Sequence, residues 1–216
     1  MGAADRRAPP RDCARCPRLV AYRVANRAAE PTWHNAPVPS FGPADARLLV
    51  VGLAPGRGGA NRTGRPFTGD YAGDVLYAAL RDHGFATGTY RAEPDDGLVL
   101  HDCRVTNAVR CVPPENKPTA SEIQACRPFL EDELRAGTPP EVVLCLGRVA
   151  FDASLRALGA TPSRHRFAHG AMTAVADGPR LIASYHTSRY NLNTGRLTRA
   201  MFDTVLAEVR RLLPRG

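Results

Sequence analysis

The stretch from Arg47 to Leu80, RLLVVGLAPGRGGANRTGRPFTGDYAGDVLYAAL, constrains the fold more than any other part of the chain. Leu48 to Val51 form a continuous apolar run, the pattern of a parallel strand buried on both faces. Seventeen residues follow, Gly52 to Thr68, rich in Gly, Pro, Asn, Arg and Thr, and then a helical pattern begins. Strand, long loop and helix make the opening unit of an α/β fold. Glycines let backbone approach a ligand closely, and a helix N-terminus attracts anions, so the segment reads as a ligand site. The plainer reading is a surface loop closing a βα unit, but structureless loops beyond about 12–15 residues in compact domains usually carry function or disorder. No G-x-x-x-x-G-K-[ST] occurs, and Gly56, Gly58 and Asn61 break the G-x-G-x-x-G spacing, which excludes the two familiar nucleotide loops.

Further elements repeat the alternation. Leu98 to Arg110 reads as a strand whose last clear apolar residue, Val105, precedes Thr106 and Asn107. Thr119-Ala120-Ser121-Glu122 has capping-box spacing, predicting a helix from about Ala120 to Ala136. Glu141 to Leu146 is a third buried strand, followed from Gly147 by a helix that stops at Gly159. His165 to Val175 suggests a lone strand or hairpin, and Leu181 to Tyr185 a fourth strand running into His186. The polar segment Tyr190 to Arg196 leads to a last helix, with Thr198 as a possible cap and Met201, Phe202, Val205, Leu206, Val209 and Leu213 on its apolar stripe. Strands separated by helix-length segments imply a three-layer α/β/α fold around a mainly parallel sheet of about four strands. At 216 residues one domain, 1–216, is expected, with residues 1–45 as a cysteine-containing N-terminal segment and the first twelve residues loose.

No apolar run approaches the length needed to span a membrane and no signal pattern opens the chain, so a protein that stays in the cytoplasm, associated with the nucleoid, is expected. The formal charge is +8, and Lys117 is the only lysine. Arginine's planar donor fork suits phosphates, which favours a polyanion partner; codon bias toward Ala, Arg and Pro explains the same excess without one. Six cysteines in such a chain argue for metal or redox roles rather than a disulfide framework. Cys13-x-x-Cys16 opens the series, followed by Pro17 and a short helical pattern at Leu19 to Val24; Cys111 and Cys126 come later, fifteen positions apart. Four thiolates suit either a zinc ion or an iron–sulfur cluster. Cys103 and Cys145 fall within strand patterns and read as core residues.

In open α/β sheets ligands bind beyond the carboxyl ends of the strands, where the Gly52–Asp70 loop, Asn107 and His186 all fall. GLAPG and NRTGRPFTGD within 52–70, TNAVRC at 106–111 and SYHTSRYNLNTGRLT at 184–198 resemble the motifs of the uracil-DNA glycosylase superfamily, specifically its type b, or family 5, branch. The likeness runs from Cys13 to the last helix.

That resemblance implies a DNA repair enzyme, a monomer, that hydrolyses the bond between deoxyribose and uracil or other deaminated or damaged bases in double-stranded DNA after flipping the base. It implies a structural [4Fe–4S] cluster on Cys13, Cys16, Cys111 and Cys126. Gly52, Leu53 and Ala54 would border the base and Phe67 would stack on it, although a loop phenylalanine also serves as core. Asn107 would read the base edge, its amide offering donor and acceptor together, although an asparagine there also caps a turn. His186 would bond the pyrimidine O2 as charge develops, in either protonation state. Thr187 stands where the family usually has proline, which puts the rigidity of that turn in question. Ala54 stands where other branches carry a carboxylate or asparagine that handles water; the resemblance moves that duty to Asp70, which is equally a good N-cap, with Asp74 in reserve. Arg57, Arg62, Arg65, Arg189, Asn191, Asn193 and Arg196 would form the DNA-facing rim. Two other classes stay open on the residues alone: a non-catalytic metal module that binds nucleic acid, and a hydrolase of small nucleosides.

Overall fold

A computed structural model describes residues 8–214; the first seven residues, expected to be loose, and the last two lie outside it. Five strands form the main sheet: β1 (Leu48–Gly52), β4 (Cys103–Asn107), β5 (Val142–Leu146), β6 (Met172–Ala174) and β7 (Arg180–Ser184). Their order is β4-β1-β5-β7-β6, parallel except for β6, which runs antiparallel along one edge. At the other edge Phe41 bonds Val105 in an antiparallel bridge, so β4 is not left open.

The apolar runs sort by alternation into two cores. Leu48, Val50, Val105, Leu144 and Ile182 face α3 (Tyr71–Asp82) and α7 (Arg199–Leu212). Leu49, Val51, Val143, Cys145 and Leu181 face α4 (Ala120–Arg135) and α5 (Arg148–Ala157). These are the two outer layers of the expected sandwich. A third cluster seats α1 (Pro17–Ala29) through Leu19 against Val109, Cys126 and Phe129. Cys103 and Cys145 are buried in the sheet, as expected of core thiols.

The structure corrects three details. The Leu98–Arg110 strand is two pieces: β3 (Val99–Leu100) pairs antiparallel with β2 (Ala86–Thr87) in a separate small sheet, and a turn through Asp102 precedes β4. Asp102 takes a left-handed backbone, φ +53°, and binds Arg47, a long-range contact that breaks the run. The long loop after β1 contains a helical turn, α2 (Ala60–Thr63), and the polar segment after His186 begins with α6 (Arg189–Asn193). The antiparallel β6 makes the main sheet five strands rather than four.

Candidate functional site

The chain runs from β1 to β4 on one side and later to β5 on the other, so the strand order reverses beside β1, where open α/β sheets bind ligands. A cavity of about 530 Å³ opens at the carboxyl ends of the strands. It is lined by the Leu53–Ala60 loop, Phe67, Gly69 to Ala72, Asn107, Asn116, His186, Ser188 and Arg189. Asp70, Asn107 and His186 therefore share one hollow. A larger groove, about 830 Å³, lies beside Pro139–Val142 and Val175–Arg180 and contains none of them.

Its floor is set by strand register. Gly52 pairs with Asn107 across β1 and β4, and a Cβ on Gly52 would lie 2.7 Å from Phe67 Cε2 and closer still to Asn107 Oδ1. Only glycine lets both side chains close over the strand end. Phe67 is buried, and its ring lies 5.9 Å from that of His186 with 28° between the planes. Its backbone is left-handed, φ +52°, a genuine outlier for a bulky residue.

Asp70 ends the loop. Its Oδ1 accepts from Gly73 N at 3.0 Å and caps α3. Oδ2 lies against the glycine loop, where a Cβ on Gly59 would come within 2.8 Å of it. Burial pushes the Asp70 carboxyl above its usual range, opposed by backbone N–H groups of Gly73 and Ala72. Asp74 is exposed on the same helix and does not line the cavity.

Burial pushes the His186 imidazole down to about 4, so it is neutral at neutral pH. Its loop is held from two sides. Asn191 Nδ2 donates to the His186 carbonyl at 2.8 Å, and the buried Thr187 donates Oγ1 to the Ala72 carbonyl at 3.2 Å, in the first turn of α3. That hydrogen bond ties the histidine loop to the helix capped by Asp70.

The expected rim divides. Arg57, Arg189 and Arg196 are exposed, and their guanidinium groups lie 5.2, 5.1 and 4.8 Å from the rings of Trp33, Tyr71 and Tyr185. Asn193 is exposed as well. Arg65 does not belong there: it is buried, and its fork clasps Asp96 at 2.9 and 2.7 Å. Arg62 binds Glu93 at 3.0 Å in a separate groove with Trp33 and His34. Asn191 serves the His186 loop through its side chain.

Cys13, Cys16, Cys111 and Cys126 line one apolar cavity with Leu19, Val109 and Phe129. Burial raises the Cys16 thiol to about 11 and the Cys111 thiol to about 12, with Cys126 adding to both. Burial at this spot favours the neutral thiols, so holding thiolates here requires a cationic group to offset their charge. Arg23 is buried beside them, its Nη1 at 3.8 Å from Cys111 Sγ and its Nε without a hydrogen-bond partner. Among the described residues no three His, Cys, Asp or Glu side chains are grouped so as to hold a metal ion. Ala54 packs against this cluster and also lines the larger cavity, so the two hollows share a wall.

Two features escaped the sequence reading. Asn116 reaches the cavity from the turn after Cys111, on a left-handed backbone with φ +56°. Tyr190, beside Arg189, is 71% exposed. The consecutive left-handed residues Glu115 and Asn116 that bring the loop round gave no glycine signal to find.

A family model described as the Uracil DNA glycosylase superfamily matches residues 39–210. The chain is 48% identical over 206 residues to the type-5 uracil-DNA glycosylase of Thermus thermophilus, covering 93% of both chains. It is 45% identical over 204 residues to the type-5 uracil-DNA glycosylase of Pyrobaculum aerophilum (93% of this chain, 87% of the relative) and 43% over 209 residues to that of Mycobacterium tuberculosis (93% and 78%).

Proposed function

Because the chain belongs to the uracil DNA glycosylase superfamily, we propose that it is a DNA repair glycosylase that hydrolyses the N-glycosidic bond of uracil in DNA and leaves an abasic site. The convergence of Asp70, Asn107 and His186 on one cavity carries this reading.

The target base leaves the stack, at a cost of a few kcal/mol, and lies on the Phe67 ring with the Asn107 amide matching a carbonyl and an N–H of its edge. The bond from C1′ to N1 breaks heterolytically, the electron pair staying with the base. Neutral His186 donates a hydrogen bond to O2 and stabilises the anion without protonating it, an effect concentrated in the transition state. Asp70 Oδ2 orients water toward C1′ and stabilises the positive charge on the sugar; water adds its oxygen there, and its proton passes to the carboxylate and then to solvent. The small Ala54 leaves the water path to Asp70 and makes room for other deaminated bases.

Double-stranded DNA is the proposed substrate, held by Arg57, Arg189 and Arg196 around the mouth, with the protein acting as a monomer on the nucleoid. Among the described residues no helix is long and apolar enough to cross a membrane. We further propose a [4Fe–4S] cluster on Cys13, Cys16, Cys111 and Cys126. The cavity that Cys13, Cys16, Cys111 and Cys126 line together supports it. The cluster's contribution is structural: it joins α1 to the loop that carries Asn116.

Duplexes carrying a single uracil test the activity. They should become alkali-labile on incubation with iron-loaded protein, and intact strands after prolonged incubation would reject it. Iron and sulfide near four equivalents each, measured on the same preparation, are expected; stoichiometric zinc would reject the cluster.

A further inference from the structure

The Phe67 backbone, at φ +52°, is one that bulky side chains rarely adopt, and such a conformation persists only where its surroundings over-determine it. Two tyrosines hold it on either side of the peptide. Tyr90 donates its hydroxyl to the Phe67 carbonyl at 3.2 Å, and Tyr77 donates to the Pro66 carbonyl at 2.5 Å. Arg65 adds a third tie, its Nε donating to Thr68 Oγ1 at 2.8 Å while its fork clasps Asp96. The same guanidinium lies 5.0–5.6 Å from the ring centres of Phe41, Tyr77 and Tyr90.

Tyr90 and Asp96 both come from the segment between β2 and β3, the small sheet set apart from the main one. Gly73 shows how closely the parts approach: a Cβ there would meet the Phe67 carbonyl and lie 2.7 Å from the Tyr90 hydroxyl.

We infer that Tyr90 is a positioning residue for base recognition, its hydroxyl fixing the Phe67 carbonyl so that the Phe67 ring stays over Gly52 and Asn107. The β2–β3 hairpin is then a clamp on the base-stacking wall. Released from Tyr90, the peptide relaxes toward ordinary backbone angles and the ring leaves its place. This rests on the reading of Phe67 as the surface on which the base stacks.

Tyr90→Phe removes only the hydroxyl. Competitive inhibition by free uracil should weaken roughly tenfold and kcat/KM on uracil duplexes should fall by a similar factor. Binding to abasic-site duplex, which presents no base to stack, should not change. Phe67→Ala should produce the same losses, and adding Tyr90→Phe to it should produce no further loss. A Tyr90→Phe protein with a lowered melting temperature but unaltered uracil inhibition would overturn the clamp, as would losses that add to those of Phe67→Ala. If Phe67→Ala itself leaves uracil inhibition unchanged, the stacking assignment fails, and the clamp with it.

Discussion

Asp70 divides its duties between its oxygens, Oδ1 capping α3 and Oδ2 facing the cavity. Asparagine caps a helix about as well as aspartate. Since burial disfavours the ionised carboxyl in the fold, Asp70→Asn also removes an unfavourable charge at neutral pH. The variant should melt at the same temperature as the parent or higher while base release falls by at least about a hundredfold. Single-turnover assays beside thermal melts check this, and retained turnover would remove Asp70 from the chemistry. His186 gives a pH signature of opposite sense. Its folded-state pKa, about 4, lies below the ordinary 6.5, so the unfolded chain takes up the proton first on acidification. Stability is complete above about pH 6.5 and falls toward pH 4, by up to roughly 3 kcal/mol, a loss that His186→Ala should abolish in urea titrations across that window. The position of His186 was legible because it follows a recognisable strand, whereas at Asp70 the residues alone marked a helix cap and only the family resemblance pointed to the cavity. Arg65 was misread because sequence does not distinguish an arginine that meets DNA from one that meets Asp96, thirty-one positions away.

Among the elements, β1, β5 and β7 announced themselves as unbroken apolar runs and α4 as a capping box, both reciprocal bonds of which are present at Thr119 and Glu122. What stayed hidden depends on partners distant in sequence: the Asp102 turn held by Arg47, the two-residue strands of the β2–β3 hairpin, and the turn that carries Asn116. The join between the His186 loop and α3 belongs to this hidden class. Thr187→Val keeps the shape of the side chain and deletes its hydrogen bond to Ala72. A lost buried hydrogen bond should lower stability by about 1 kcal/mol. The larger effect should be on turnover, about tenfold in kcat, because a small displacement between His186 and Asp70 disturbs groups that must act together. Thr187→Ser should restore both, and a kcat unchanged in the valine variant would show that the loop is held by other contacts.

At the scale of the whole molecule the excess of arginine has two destinations. Arg23, Arg65, Arg104 and Arg110 are buried, two of them around Glu133 and one clasping Asp96, whose carboxyl the contact holds well below the usual range. These cations are withdrawn from the surface, so the net charge of +8 overstates what faces a phosphate backbone. Exposed Arg57 and Arg189 line the cavity instead, and Arg196 is exposed over the Tyr185 ring. Each phosphate neutralised on a duplex contributes about 0.9 to the slope of log affinity against log salt. Arg189→Ala and Arg196→Ala should therefore each weaken duplex binding and lower that slope by about one, with melting temperatures unchanged. Arg65→Ala should do the reverse, lowering the melting temperature by several degrees through an unpaired buried carboxylate while leaving the salt slope of the folded protein intact. Fluorescence anisotropy over a salt series, run below the melting point of each variant, separates the two groups. An Arg65 variant with a reduced slope would return that residue to the DNA face and overturn the division of the arginines drawn from their burial.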